Sequence, residues 1–137
     1  MLFTLQNGDR IVVSNLFFTP DTGDVIVFSG AYNDGEVLVK RVIGIEGDVV
    51  DIAETGEVLL NGQVLSEPYL EPGTVTLARD VDLPYTVGKD ELFVMGDNRT
   101  VSLDSISSQV GPAETKRVLG KVVFRLFPNT GVIDDGK

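Results

Sequence analysis

The 137-residue sequence contains no cysteine, no histidine and no tryptophan. Without cysteine there is no disulfide framework and no thiol nucleophile. Without histidine there is no Ser-His-Asp triad, and the common zinc ligand sets are gone. An enzyme of this composition must take its base from a carboxylate, a lysine, a tyrosine or a bound metal. Positive charge is scarce as well, with 11 Lys plus Arg against 21 Asp plus Glu and a net charge of −10. Such a chain repels phosphate backbones, and no basic patch with interleaved aromatics counters this, so nucleic acid is not an expected partner. No apolar run approaches the ~18–20 residues that cross a bilayer, and no signal-peptide pattern opens the chain. Missing cysteine does not by itself assign a redox compartment.

What is present is an ordinary globular composition, 42% hydrophobic and 23% charged, of a length that fits one domain or a core with a small insert. Short β-runs are punctuated by Gly, Asp, Asn and Pro, with almost no helical periodicity. Strands are expected at Arg10–Val13, Val25–Phe28, Val37–Ile43, Glu91–Met95 and Lys121–Phe127. Asn7-Gly8-Asp9 and Asn33-Asp34-Gly35 read as turns. Gly44–Asp48 interrupts the Val37 strand, and Val49–Ile52 is expected to resume it. Asn61-Gly62, between Glu57–Leu60 and Gln63–Leu65, is a type I′ hairpin signal. Ser66–Asp90 is looser and holds Tyr69, Pro72, Pro84 and Tyr85. The expected organisation is a β core of residues 1–52 and 90–130, an insert or cap of residues 53–89 carrying the hairpin, and a frayed tail of residues 131–137. One-turn helical pieces are expected only near Ser102–Ser105 and Pro112–Lys116. The fold class is mainly β, a coiled or folded-over antiparallel sheet with a small β insert.

Two stretches carry chemistry. The first is Val37–Asp48, where Lys40 and Arg41 sit inside an aliphatic strand. Side chains alternate along a strand, so Lys40 shares a face with Leu38 and Val42, and Arg41 shares the other with Val39 and Ile43. Both faces are apolar, as in a strand covered on both sides, so at least one cation must be partly desolvated. A dry ammonium releases its proton more easily. A general base needs a pKa of roughly 7–8 against ~10.4 for a free lysine, a shift of ~4 kcal/mol. The commoner fate of a strand lysine is to snorkel, with a buried stem and a wet ammonium, and on this stretch alone snorkelling is the expectation.

The second stretch is Gly96-Asp97-Asn98-Arg99-Thr100-Val101-Ser102-Leu103-Asp104-Ser105. A strand delivers it to a turn dense in carboxylates, an amide, a guanidinium and hydroxyls. An Asx-turn explains Asp97-Asn98 alone. It does not explain Ser102 and Asp104, which could orient a neighbouring ammonium and a neighbouring guanidinium. Asn98-Arg99-Thr100 matches a glycosylation sequon, but over three residues only. No acidic run has calcium-loop spacing, and Gly44-x-x-Gly47 lacks the ending of a phosphate loop. Leu16-Phe17-Phe18 could touch a membrane, although core packing is the commoner role of such a run.

In register, these stretches resemble bacterial type I signal peptidases, membrane-bound serine endopeptidases that use a Ser–Lys dyad. The resemblance runs through Met1–Leu5 with Gly8-Asp9, then Gly23–Phe28, then Lys40-Arg41-Val42-Ile43-Gly44 with Gly47-Asp48. It continues through Asn61-Gly62 and Glu67-Pro68-Tyr69 to Gly96-Asp97-Asn98-Arg99, Ser102 and Asp104-Ser105. It implies that Lys40 is the general base and that Ser102 orients its ammonium. Asp97 and Asp104 would hold the loop and pair with nearby cations, Arg41 among them, with Asn98 and Arg99 in support. The substrate would be the extended end of a preprotein's signal peptide, laid as an added strand against a surface that includes Leu38 and Val39. No cofactor and no metal are implied.

The sequence departs from the family pattern at Phe3, where proline is usual, and at Ile106, where arginine is usual. The nucleophilic serine would immediately precede Met1, so the chain as given lacks it and is expected to be inactive. Truncation is the simplest account, since the family's one or two N-terminal membrane helices end just before this point. The resemblance thus implies attachment to the cell membrane with the catalytic domain on the extracytoplasmic side. Two alternatives remain. One is a non-catalytic signal-peptidase-like factor for surface pilus or protein assembly. The other is the related Ser–Lys autoprotease domain of SOS repressors, which the Gly-Asp-Asn-Arg signature and the insert disfavour.

Overall fold

The computed structural model describes residues 10–14, 18–30, 35–100, 102, 104–127, 131–133 and 136. The Met1–Asp9 segment, the Asn33-Asp34 turn and Leu16-Phe17 lie outside them. Eleven strands occur among the described residues: β1 (Arg10–Ser14), β2 (Val25–Ser29), β3 (Val37–Gly44), β4 (Val49–Ile52), β5 (Val58–Leu60), β6 (Gln63–Val64), β7 (Tyr85–Thr86), β8 (Glu91–Met95), β9 (Ala113–Glu114), β10 (Val118–Phe127) and β11 (Gly131–Val132). They form a seven-stranded sheet, in the order β1-β10-β2-β3-β8-β9 with β11 on β10, and a four-stranded sheet in the order β6-β5-β4-β7. Every pairing is antiparallel.

β2 and β3 are the middle of the larger sheet because their apolar runs serve both faces. Ile26, Phe28 and Val42 pack with Leu92, Val94 and Ala113 on one side. Val25 and Val27 pack with Val122 and Ile133 on the other. A third cluster joins the sheets: Ile43, Phe93, Met95 and Ile106 meet Val50, Val58 and Val87. The fully buried Ile106 (1% exposed) therefore has a packing role, which accounts physically for an apolar residue after Asp104-Ser105.

Two expectations change here. Val49–Ile52 does not resume β3; as β4 it is a central strand of the smaller sheet, between β5 and β7. The reversal is made by the Ile45–Asp48 turn, where Asp48 N–H donates to Ile45 O (2.9 Å) and Ile45 N–H to Asp48 Oδ2 (3.0 Å). The preceding Gly44 has no room for a side chain, since a Cβ there would lie 2.9 Å from Val50 Cγ2. The tail is not frayed throughout, because Gly131–Val132 pairs with β10 and Ile133 is buried. Of the two helical pieces, the second appears as a single 3₁₀ turn at Thr115–Arg117; Ser102–Ser105 includes Leu103, which lies outside the described residues. The Asn61-Gly62 turn has positive φ at both residues (53° and 82°), as a type I′ turn requires. Its Asn61 side chain also bridges to β4, accepting from Val49 N–H at 2.8 Å and donating to Asp48 Oδ1 at 3.0 Å.

Candidate active site

β3 presents Lys40 and Arg41 to opposite faces, and the loop after β8 meets both. Lys40 is 9% exposed, and its Nζ donates to Ser102 Oγ at 2.7 Å. The snorkelling expectation is thereby corrected: the stem leads into a pocket closed by the loop rather than out to water. Burial pushes the Lys40 pKa down, Asp104 partly opposes this by its charge, and Arg79 adds to the lowering. Among the described residues no carboxylate forms an ion pair with Lys40. Asp104, 1% exposed, instead accepts from the backbone N–H groups of Gly96 (3.1 Å) and Ile106 (3.3 Å).

Arg41 is fully buried and fully engaged. Its Nε and Nη2 donate to the two oxygens of Asp97, at 3.0 and 2.8 Å, in a bidentate pair. Nη1 donates to Gly23 O at 2.9 Å. The Tyr69 ring lies over the guanidinium, with Cζ 3.6 Å from the ring centroid. Asp97 thus fixes the start of the loop to β3, directly beside the strand position of Lys40.

The loop is then shaped from within. Ser102 N–H donates to Asn98 O at 3.0 Å, and Thr100 Oγ1 donates to Asn98 Oδ1 at 3.0 Å. Arg99, 3% exposed, turns away from Lys40. Its Nε donates to Gly96 O (2.9 Å) and its Nη1 to Thr76 Oγ1 (3.0 Å), while Nη2 forms an ion pair with Glu67. Ser105 ties the far end to β8, accepting from Val94 N–H at 2.9 Å and donating to Gly111 O at 2.9 Å.

The structure therefore brings together Lys40, Ser102, Arg41, Asp97, Asn98 and Asp104, and binds Arg99 to Glu67 and Thr76 of the segment that follows β6. Leu38 and Val39 precede Lys40 on β3 and are half-buried. β2 pairs with β3 from Val37 to Arg41, whereas β8 pairs with it only from Arg41 onward. Among the described residues, no strand covers Val37–Lys40 on the side away from β2. Val42 bonds toward the β2 side, with its N–H donating to Asp24 O at 2.7 Å. Alternation then directs the backbone groups of Val39 and Val37 to the opposite edge.

Four residues at the site go beyond the sequence-based set. Gly96 is required by space: a Cβ there would lie 2.1 Å from Ser102 Oγ and 3.5 Å from Lys40 Nζ. From the segment that follows β6, Glu67 and Thr76 reach the loop and Tyr69 reaches Arg41 of β3. The signal for Glu67 and Tyr69 was the Glu67-Pro68-Tyr69 element of the resemblance, to which no role had been attached. Nothing local in the sequence marks Thr76. Among the described residues, no group of three or more acidic side chains could hold a metal ion, and no helix is long and apolar enough to cross a membrane.

Known proteins resemble this chain in sequence and in fold. The family model described as signal peptidase, peptidase S26, matches residues 1–127. The chain is 37% identical over 139 residues to probable signal peptidase I-1 of Synechocystis, covering 93% of this chain and 67% of that protein. It is 34% identical over 145 residues to probable thylakoidal processing peptidase 2, chloroplastic, of Arabidopsis thaliana, covering 98% of this chain. The chain spans 37% and 40% of the lengths of the two thylakoidal relatives. Among solved structures it is similar to a signal peptidase I from Enterococcus faecalis, with a TM-score of 0.61 and 28% identity, over 76% of this chain and 97% of that one.

Proposed function

Because the chain belongs to the signal peptidase family, peptidase S26, we propose that it is the catalytic unit of a membrane-attached serine endopeptidase that removes signal peptides from exported proteins. The observation that carries this reading is the Lys40–Ser102 hydrogen bond of 2.7 Å in a pocket where the lysine is 9% exposed. A neutral amine has two N–H groups and one lone pair. Ser102 takes an N–H, which aims the lone pair elsewhere; burial keeps the amine neutral at a pH where a surface lysine would be charged.

The nucleophile in this reading is a serine that immediately precedes Met1 in the full-length protein. Lys40 accepts the proton of that hydroxyl as its oxygen attacks the scissile carbonyl. The resulting ammonium gives the proton to the departing amine, and the acyl-enzyme forms. Lys40 then draws a proton from water, whose oxygen attacks the ester, and returns it to the serine oxygen as the acyl bond breaks and the signal peptide leaves. The extended end of the signal peptide adds as a strand along the Val37–Lys40 edge of β3, with Leu38 and Val39 in its docking surface. The segment upstream of Met1 attaches the protein to the membrane, with this unit on the extracytoplasmic side. The 137 residues alone would then be inactive.

The test is cleavage of a preprotein by the full-length protein. Wild type is expected to cleave; Lys40→Met and Ala substitution of the preceding serine are each expected to abolish cleavage while the fold persists by circular dichroism. Full cleavage by Lys40→Met would remove the base assignment.

A further inference from the structure

Two buried arginines flank the Lys40–Ser102 pair, one from each of the elements that supply it. Arg41 follows Lys40 on β3, and Arg99 precedes Ser102 by three residues in the loop. A single tripeptide, Glu67-Pro68-Tyr69, grips both. Glu67 Oε1 accepts from Arg99 Nη1 at 3.2 Å, and Oε2 forms the ion pair with Nη2. The Tyr69 ring covers the Arg41 guanidinium at 3.6 Å, and its hydroxyl donates to Glu67 Oε2 at 3.0 Å. The two halves of the grip are thus tied to each other across Pro68.

We propose that Glu67 and Tyr69 are positioning residues for the reaction: from outside the strand and loop that carry Lys40 and Ser102, they latch the loop onto β3 and hold Ser102 in register with Lys40. The proposal rests on Lys40 being the base and adds the element that sets its environment.

The chemistry suits a latch. Arg41 and Arg99 both leave water, and each needs a carboxylate to do so; Asp97 serves the first and Glu67 the second. The remaining face of Arg41 is flat and hydrogen-bonded only at its edge, which is the surface an aromatic ring covers best. The phenol must stay protonated to donate to Glu67. Burial, then the Glu67 charge, holds its pKa well above the usual tyrosine value. The latch is also backed from the chain's end, because Gly136 packs so close to Tyr69 that a Cβ there would lie 3.1 Å from Cε1.

The test follows Lys40 directly, without catalysis, by NMR titration of lysine side chains in the 137-residue chain, with Lys40→Met to assign the signal. Wild-type Lys40 is expected to titrate below an ordinary lysine. Tyr69→Phe keeps the ring and is expected to match wild type. Tyr69→Leu removes it and is expected to move the Lys40 midpoint up toward the ordinary value, because the loop that buries Lys40 through Ser102 is then held less closely to β3. Glu67→Gln strips the charge from beneath Arg99 and is expected to speed amide exchange at Gly96 and Ser102 about tenfold or more. A purely structural role elsewhere would lower stability and leave both readouts unchanged. Wild-type values in both folded variants would overturn the proposal. Should Tyr69→Leu fail to fold, unchanged exchange in Glu67→Gln would overturn it alone. An ordinary wild-type Lys40 would instead overturn the assignment of the base, with loop exchange still deciding the latch.

Discussion

Lys40 and Arg41 are adjacent on β3 and almost equally buried, at 9% and 0% exposure, yet the two faces of the strand treat their charges in opposite ways. Arg41 has a bidentate carboxylate, a carbonyl and an aromatic ring. A guanidinium does not deprotonate in proteins. Lys40 has one hydroxyl at hydrogen-bond distance and a neighbouring carboxylate, Asp104, occupied with backbone amides. Burial without a paired carboxylate pushes an amine toward neutrality. One face thus stores a permanent charge as a fastener, and the other makes a charge that can be given up. A single strand supplies both because alternation puts adjacent residues in unlike surroundings.

The comparison breaks most completely if the fastener loses its carboxylate. Asp97→Ala removes the bidentate carboxylate from the buried Arg41, and breaking a buried pair of this kind costs about 3–5 kcal/mol. Urea denaturation is expected to show that loss, with the Lys40 face disturbed only as a consequence. A loss below about 1 kcal/mol would mean that Gly23 O and Tyr69 hold Arg41 without Asp97. On the other face, the corresponding break is Gly96→Ala. Its Cβ would lie 2.1 Å from Ser102 Oγ and 2.6 Å from Ser102 Cβ, so the serine must move off the lysine. Overpacking of this kind costs about 1–3 kcal/mol. The larger effect is expected in cleavage by the full-length protein, a fall of about 100-fold from lost alignment. Wild-type cleavage in Gly96→Ala would show that the Lys40–Ser102 contact is dispensable.

The unlike treatment of these two residues was only half legible in the sequence. Alternation separated their faces, and the apolar runs at Val25–Phe28 and Glu91–Met95, like the Asn61-Gly62 hairpin, are local patterns that the structure reproduces. Burial of the Lys40 head was not legible, since a strand lysine snorkels unless something covers it, and the cover is a loop some sixty residues away. The same limit explains β4. An apolar run announces a strand but not its partner, and the turn at Ile45–Asp48 sends Val49–Ile52 into the other sheet. Glu67 and Tyr69 were quoted as part of a resemblance without a task, because a glutamate and a tyrosine in a proline-containing loop have no local pattern that points to two distant arginines.

A smaller effect sharpens the contrast through stability. The Lys40 pKa is lowered from 10.5 in the folded chain. Below the folded pKa both folded and unfolded chains hold the proton, and the folded state bears the full penalty of a dry ammonium. Between the folded pKa and 10.5 the unfolded chain binds more protons, so wild-type stability rises with pH. Lys40→Met removes the penalty. It is expected to be more stable than wild type at neutral pH, with the gap closing as pH rises toward 10.5. A gap that stays constant over that range would mean that Lys40 burial carries no proton linkage.

The smallest effect concerns an exposed charge that bears on Lys40. Asp80 accepts from Ser108 N–H at 3.0 Å and Val81 N–H donates to Ile106 O at 3.4 Å, so the segment from Thr76 to Val81 crosses the loop after β8. It carries Arg79 over that loop, with Nη2 making a long 3.4 Å contact to Thr100 O. Like charge at that position lowers the proton affinity of Lys40, after burial and against Asp104. Arg79→Gln is therefore expected to raise the Lys40 titration midpoint, and Arg79→Lys, which keeps the charge, to leave it near wild type. Arg79 is exposed, so the difference between Arg79→Gln and wild type should shrink as salt shortens the screening length from ~10 Å at 0.1 M to ~3 Å at 1 M. Equal midpoints at low salt would remove Arg79 from the account. A salt-sensitive difference would separate the faces once more, because a buried bidentate pair such as Arg41–Asp97 is screened far less than an exposed guanidinium at the rim.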